Sequence, residues 1–420
     1  MHKGMGEGGT MPISRKAPGG RGFRIELAAR AGQPEDCMHY TARTRLAAAM
    51  RREHPDRVPV MCQPSVGFVL RQLPDLDPID LWHNHGGALA RGFCEISRRF
   101  GFDGVLIPAV GAAPLDLRTV LRIDRAHPEG PLVYFRNGDR CVYCRNDLPR
   151  YTHAAPPERE LGDLDPAAIA AQLSYHPPST HLRMHLAEGA AGRVAELGQA
   201  RAIMGPDVSI HGALYSPEDY LIDLLGADGA MIALLTEPEK CRELLARFAA
   251  AVAGHAREQI AAGVDALNVS APWAGQSFVS PRLHRELLAP AQAVLVAAAR
   301  AGGVPSYCHT CGAVGDRLEA IIDTGFDGIE CLDPPPLGNV ELADAVRRIG
   351  HRAFIKGNID PVHVLLLGTP DQIRADVIRR LEVGMTAGGF ILSTACAIAP
   401  ETPAANVALL RELVDRYGKY

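Results

Sequence analysis

The chain has 420 residues, of which 47% are hydrophobic and 22% charged, with a formal net charge of −4. That composition buries a large core and asks for neither nucleic acid nor an anionic membrane as partner. No apolar run of about 18 residues is available to cross a bilayer, and the ten cysteines are too scattered for a secreted disulfide framework.

Residues 1–35 are rich in Gly, Arg and Pro, lack periodicity and read as a flexible N-terminal arm. Gly4, Gly6 and Gly9 match a dinucleotide-binding fingerprint formally, but no strand precedes them and no helix follows. The arm has no apolar h-region, so a cytoplasmic location is expected. From Thr41, TARTRLAAAMRREHPDR reads as an amphipathic helix ending near Pro55, and Val58–Gln63 as a short apolar strand. Leu81–Phe100 is helical and Gly104–Ile107 is a strand. Residues 131–144 read as a hairpin around NGD, a small insertion, and 146–180 as a Pro-rich loop.

The second half alternates. Strand patterns fall at Val208–His211, Ala266–Val269, Val304–Cys308, Gly328–Cys331, Ala353–Ile355 and Gly389–Leu392. Helical patterns fall between and after them, at Glu237–Ala261, Pro281–Arg300, Val314–Asp323, Glu341–Ile349, Pro370–Val383 and Pro403–Tyr417. About eight βα units over 36–420 predict one (β/α)8 TIM barrel, α/β in class, with an N-terminal extension and the hairpin insertion.

Barrel enzymes keep their chemistry at the C-terminal ends of the strands. SYCHTCG (Ser306–Gly312) places His309 and Cys311 at one such end, two residues apart and therefore on one side of an extended segment. ILSTACAIAPETP (Ile391–Pro403) places Cys396 after the last strand. One imidazole and two thiolates suit zinc and leave a position open for water or substrate. DGIECLDPPP (Asp327–Pro336) places Glu330 at a neighbouring strand end, facing inward, as a displaceable fourth ligand or a partner of His309. Asp333 and His211 are poorer ligand candidates. The competing readings are a buried Cys that merely packs, and a Cys308-x-x-Cys311 redox pair, which alternation disfavours by turning Cys308 toward the barrel wall. Cys141-x-x-Cys144 lies on the hairpin and reads as ordinary strand residues. His211 ends a strand and is a candidate proton shuttle or a structural histidine. Asn268 and Trp273 follow one strand end, and Asn358 and Asp360 another. These four are candidates for binding a cofactor or substrate, although GNIDP also reads as a helix cap.

At these residues the chain resembles the uroporphyrinogen decarboxylase superfamily, within it the zinc-dependent corrinoid methyltransferases. The resemblance runs from Thr41 to the C-terminus. It is carried by TRLAAAMRREHPDRVPV, GALYSPEDYL, SAPWAGQSFVSPRLHRELLAP, CHTCGAVGDRLEAIIDTGFDGIECLDPPPLGNV, IKGNIDPV and GGFILSTACAIAPETPAANV. It implies zinc on His309, Cys311 and Cys396, and methyl transfer between a small methylated compound or thiol and a corrinoid (cobalamin). No Asp-x-His-x-x-Gly corrinoid motif occurs, so the corrinoid comes in trans, free or on a separate protein. The alternatives are a metal-free decarboxylase and a non-catalytic zinc- or corrinoid-binding barrel. The decarboxylase departs from this chain at QPSVGFVL, which has only Arg71 downstream, and at LIPAVG, which has no aspartate. A homodimer is compatible with this reading, which leaves the oligomer open.

Overall fold

The computed structural model describes residues 39–155, 160–170, 175–176 and 184–420. The expected arm over 1–35 and parts of the expected loop over 146–180 lie outside the described residues.

Seven strands form one sheet in the order Gly104–Ile107, Ser209–Tyr215, Ala266–Ser270, Ser306–Thr310, Gly328–Cys331, Phe354–Ile359 and Phe390–Thr394. Every pairing is parallel. Parallel neighbours in sequence order need helical crossovers, and the amphipathic segments between the strands provide them. The ring closes through the apolar segment around Val60. Leu392 N donates to Pro59 O at 2.9 Å and Met61 N to Leu392 O at 3.0 Å, while on the other side Asp103 N donates to Val60 O at 2.8 Å. The expected (β/α)8 barrel is thus the observed architecture, with residues 58–62 as its eighth stave.

Alternation along the strands sorts side chains into two cores. Val105, Ile210, Val269, Cys308, Ile329 and Ile355 face the helices. Met61, Leu106, Ala213, Ala266, Tyr307, Phe354 and Ile391 fill the barrel's inside, where Leu46, Ala49 and Met50 of the first helix plug the base. That helix, Ala42–Met50, starts at a Thr41/Thr44 capping box. Gly328 faces inward because a Cβ there would stand 2.4 Å from the Phe354 ring.

Three aspartates, each one residue before a strand, fix the register at the base. Asp103 accepts from Val60 N at 2.8 Å, Asp265 from Ile210 N at 2.8 Å and Asp327 from Ser306 N at 2.9 Å. Each ties its own strand to the preceding stave through a charge-assisted bond.

The insertion is larger than the expected hairpin. Val120–Asp124, Leu132–Phe135, Arg140–Val142 and Arg150–Thr152 form a four-stranded antiparallel sheet. The outer strands escape sequence reading because each is short and one-sided: Val120–Asp124 buries only its first residue fully, and Arg150–Thr152 none. Cys141 and Cys144 are buried within this insertion as free thiols.

Candidate metal centre

His309 lies in the last turn of the Ser306–Thr310 strand, and Cys311 follows that strand directly. The chain then turns at Gly312, whose φ of +75° suits glycine. Gly312 N donates to Asp333 Oδ2 at 2.7 Å, pinning the turn. Cys396 comes from the segment after the last strand. These elements bring the three groups together. His309 Nε2 stands 3.3 Å from Cys311 Sγ, Cys311 Sγ stands 3.7 Å from Cys396 Sγ, and all three ligand atoms lie within 4.8 Å of one another. With Zn–S near 2.3 Å and Zn–N near 2.05 Å, a tetrahedron has S···S edges of about 3.8 Å and S···N edges of about 3.6 Å. The donor set fits zinc in type and in spacing.

The electrostatics of the cluster agree with anionic sulfur beside an imidazole. Hydrogen bonds from Cys311 and Cys331 hold the Cys396 thiol well below its ordinary pKa, against burial. Burial opposes a charged His309, but the Cys311 and Cys396 sulfurs beside it outweigh burial and hold its pKa well above the ordinary value.

Glu330 faces the barrel's inside, where alternation puts it, but not as a ligand. Its Oε2 accepts from His309 Nδ1 at 3.0 Å and from Asn268 Nδ2 at 2.8 Å, and its Oε1 is ion-paired with Lys356. The imidazole ring therefore stands between Glu330 and the sulfurs. The expected fourth ligand is a carboxylate that orients His309 from behind. It holds the proton on Nδ1, which would leave Nε2 free to ligate a metal held among the sulfurs. Lys356 is fully buried, and burial lowers its pKa to about 7.

Four other expectations change. His211 does not end a strand, because Ser209–Tyr215 runs on for four residues. It is enclosed in the barrel, with Nδ1 at 3.0 Å from the Tyr307 hydroxyl and Nε2 at 3.1 Å from Ser209 Oγ. Burial, with the Lys356 charge, lowers its pKa to about 3, so it is a neutral structural histidine rather than a proton shuttle at the mouth. Asn268 is buried and serves Glu330. Asn358 donates to Leu332 O at 2.8 Å and Val340 O at 3.3 Å and accepts from Arg380. It clamps the loop after Cys331, with both amide hydrogens committed to backbone carbonyls. Asp360 caps its helix through Val362 N and His363 N, both at 2.8 Å. Trp273 remains partly exposed on the short turn Pro272–Ala274, edge-on to Phe278 at 4.7 Å. That turn leads to Gly275, where a Cβ would stand 3.0 Å from Cys311 O.

One residue at the cluster escaped the sequence reading. Cys331 Sγ lies 3.4 Å from Asp333 Oδ2, and one ligand atom from each of Cys311, Cys331 and Asp333 falls within 4.8 Å of the others. Alternation from Glu330 predicts an outward Cys331. Positive φ at Cys331 (84°) and Leu332 (57°) ends the regular strand there. The signal within reach was the run DPPP, which enforces a turn directly after the strand.

Comparison with known proteins places this architecture. The methyltransferase from Methanosarcina mazei superposes with a TM-score of 0.67 at 23% identity, over 90% of this chain and 99% of that one, and shares the fold. The methylcobamide:CoM methyltransferase MtaA of Methanosarcina barkeri (strain Fusaro / DSM 804) is 30% identical over 52% of this chain and 61% of its own length. The chain thus spans about three fifths of that relative. A uroporphyrinogen decarboxylase of Prochlorococcus marinus (strain NATL1A) is 28% identical over 87% of this chain and 94% of its own. Among the described residues no helix is long and apolar enough to cross a membrane. The uroporphyrinogen decarboxylase (URO-D) family profile matches residues 186–417, more than half of the sequence and all of the barrel from its second paired strand onward, and the chain belongs to that family.

Proposed function

We propose that the chain is a zinc-dependent methyltransferase that moves a methyl group between a small methylated compound or thiol and a corrinoid supplied in trans. The observation that carries this reading is the His309–Cys311–Cys396 cluster at the strand ends, with donor separations of 3.3 and 3.7 Å. A decarboxylase that works on a carboxylate-rich tetrapyrrole has no use for two thiols and an imidazole held at metal-ligand spacing. Arg71, downstream of the stave at residues 58–62, is exposed on the helix Val66–Gln72. The relatives named as methyltransferases add support at the level of the family.

Zinc held there supplies a soft Lewis acid that keeps a thiol as its thiolate, or draws charge from the atom a methyl group leaves. The chain's own residues do the rest. Glu330 fixes the His309 tautomer, Asn268 holds Glu330, and Lys356 balances its charge in the dry interior. Elemental analysis of purified protein tests the reading. Wild type is expected to carry about one zinc per chain and Cys311→Ala far less. Methylcobalamin absorbance, followed against a panel of thiols and methoxylated compounds, is expected to change only with the metal-loaded wild type. Equal zinc in both proteins refutes the site.

A further inference from the structure

We propose that the barrel mouth takes a second divalent cation, bound by Cys331 and Asp333 and joined to the first through Cys311 as a bridging thiolate; this rests on the zinc reading above and adds a metal position to it. Two sets of ligand atoms meet at Cys311. One is His309, Cys311 and Cys396, and the other is Cys311, Cys331 and Asp333, with the atoms of each set within 4.8 Å of one another. The second set has its own source in the fold: Cys331 ends the Gly328–Cys331 strand and Asp333 lies two residues beyond it. Cys331 Sγ stands 3.4 Å from Asp333 Oδ2, against an S···O edge of about 3.6 Å in a zinc tetrahedron. A thiolate sulfur has lone pairs for two ions, and ions joined in this way lie about 3.5–4 Å apart.

An independent observation marks the second position. Asp333 is only 4% exposed, yet its Oδ1 has no hydrogen-bond partner, while its Oδ2 accepts from Gly312 N and from Cys331 Sγ. Leaving a buried carboxylate oxygen without a donor costs free energy, and a cation beside it removes that cost. The backbone serves the same end. Cys331 and Leu332 both hold a positive φ, a conformation that non-glycine residues seldom adopt. It ends the alternation that runs through Glu330 and leaves the Cys331 sulfur beside Asp333 and Cys311.

The charges balance with two ions and not with one. Glu330 is already paired with Lys356, so the anions left to the metals are the thiolates of Cys311, Cys331 and Cys396 and the carboxylate of Asp333. Two dications neutralise these four groups. Filling the second position breaks the S–H bond of Cys331, forms a metal–sulfur bond and releases the proton to water, so this ion competes with a proton and binds after the first. The protein as isolated therefore carries one zinc, and excess metal fills the second position. Sharing Cys311 also draws electron density from the first ion and makes it a stronger Lewis acid.

Cobalt(II) is the probe, added to protein that already holds one zinc per chain. Zinc keeps its place because a thiolate site binds it more tightly than cobalt, and cobalt bound to sulfur shows a thiolate charge-transfer absorption that cobalt on oxygen and nitrogen lacks. Wild type is expected to take up about one further cobalt with that absorption. Cys331→Ser and Asp333→Asn are each expected to keep the first zinc and to lose the cobalt; the asparagine still offers an oxygen to Gly312 N, so the turn is kept. Zinc-loaded wild type that takes up no cobalt, or takes it up without sulfur absorption, overturns the proposal and leaves the first site standing. Cobalt bound by both variants as by wild type overturns it as well. A wild type that holds no zinc overturns the zinc reading together with this one.

Discussion

At the base of the barrel Asp103 receives four donors: Arg45 Nη1 at 2.8 Å and Arg57 Nη2 at 2.8 Å on Oδ1, and Arg57 Nη1 at 2.9 Å and Val60 N at 2.8 Å on Oδ2. At the mouth Asp333, just as buried, leaves Oδ1 without a partner and holds the Cys331 thiol with Oδ2. Both are aspartates beside barrel strands, one ahead of its strand and one after it. The difference is satisfaction. A buried carboxylate with every lone pair used is a structural clamp, and one left short of donors marks a place that waits for something. In this barrel the satisfied cluster sets the register of staves, and the unsatisfied cluster gathers the sulfurs.

The largest effect that separates the two ends comes from Asp103→Ala. It removes the one carboxylate shared by Arg45 and Arg57, leaving them Asp56 and Asp415 at the rim, and frees the Val60 amide; breaking such a buried pair costs about 3–5 kcal/mol. Urea unfolding is expected to show that loss, while the folded variant keeps wild-type zinc per chain. A variant of wild-type stability that has lost its metal would reverse the roles assigned to base and mouth.

Glu330→Gln sharpens the same comparison at the other end. The amide still fills the space next to His309 and Asn268 but no longer carries the charge that holds the Nδ1 proton. Metal affinity is expected to fall about 10–100-fold, the usual consequence of losing a carboxylate behind a ligating histidine, as measured by competition with a chromophoric chelator. Unchanged affinity would show that the imidazole is held by packing alone.

The parts of this organisation that were legible in sequence follow the reach of local pattern. His309, Cys311 and Cys396 were found because their spacing from strand ends is short and their residue types are chemically distinctive. Glu330 was placed on the correct face by alternation, but its distance from the sulfurs depends on which ring nitrogen of His309 it meets, which period-two reasoning does not contain. Cys331 escaped notice because strict alternation from Glu330 turns it outward, and the positive φ that ends the regular strand there is not written in the residue pattern. His211 was misplaced because Gly212-Ala213 reads as the start of a loop. The strand continues there, and a Cβ on Gly212 would stand 1.9 Å from Gln259 Oε1, so the glycine admits a helix side chain rather than a turn. The aspartates at 103, 265 and 327 repeat a simple rule, one residue before each strand, that becomes visible only when the staves are seen side by side.

The smallest effect concerns two enclosed histidines that differ as Asp103 and Asp333 do. His211 has both ring nitrogens partnered, by Tyr307 and Ser209, whereas His284 has neither nitrogen partnered. Burial, with smaller contributions from nearby charges, lowers the pKa of His211 to about 3 and of His284 to about 4. An unfolded imidazole titrates near 6.5, so on acidification the unfolded chain takes up protons that the folded chain refuses. The stability each neutral histidine permits is therefore complete above about pH 6.5 and is lost as pH falls from there toward 4, at a rate approaching about 1.4 kcal/mol per pH unit per group. His284→Leu removes one of these protons without orphaning a partner. The variant is expected to match wild type within about 1 kcal/mol at pH 8 and to exceed it progressively below pH 6. The other titrating groups cancel in the difference between the two unfolding curves. Parallel curves from pH 8 to pH 5 would mean that His284 gains a proton while folded, and that its unpartnered nitrogens are reached by water.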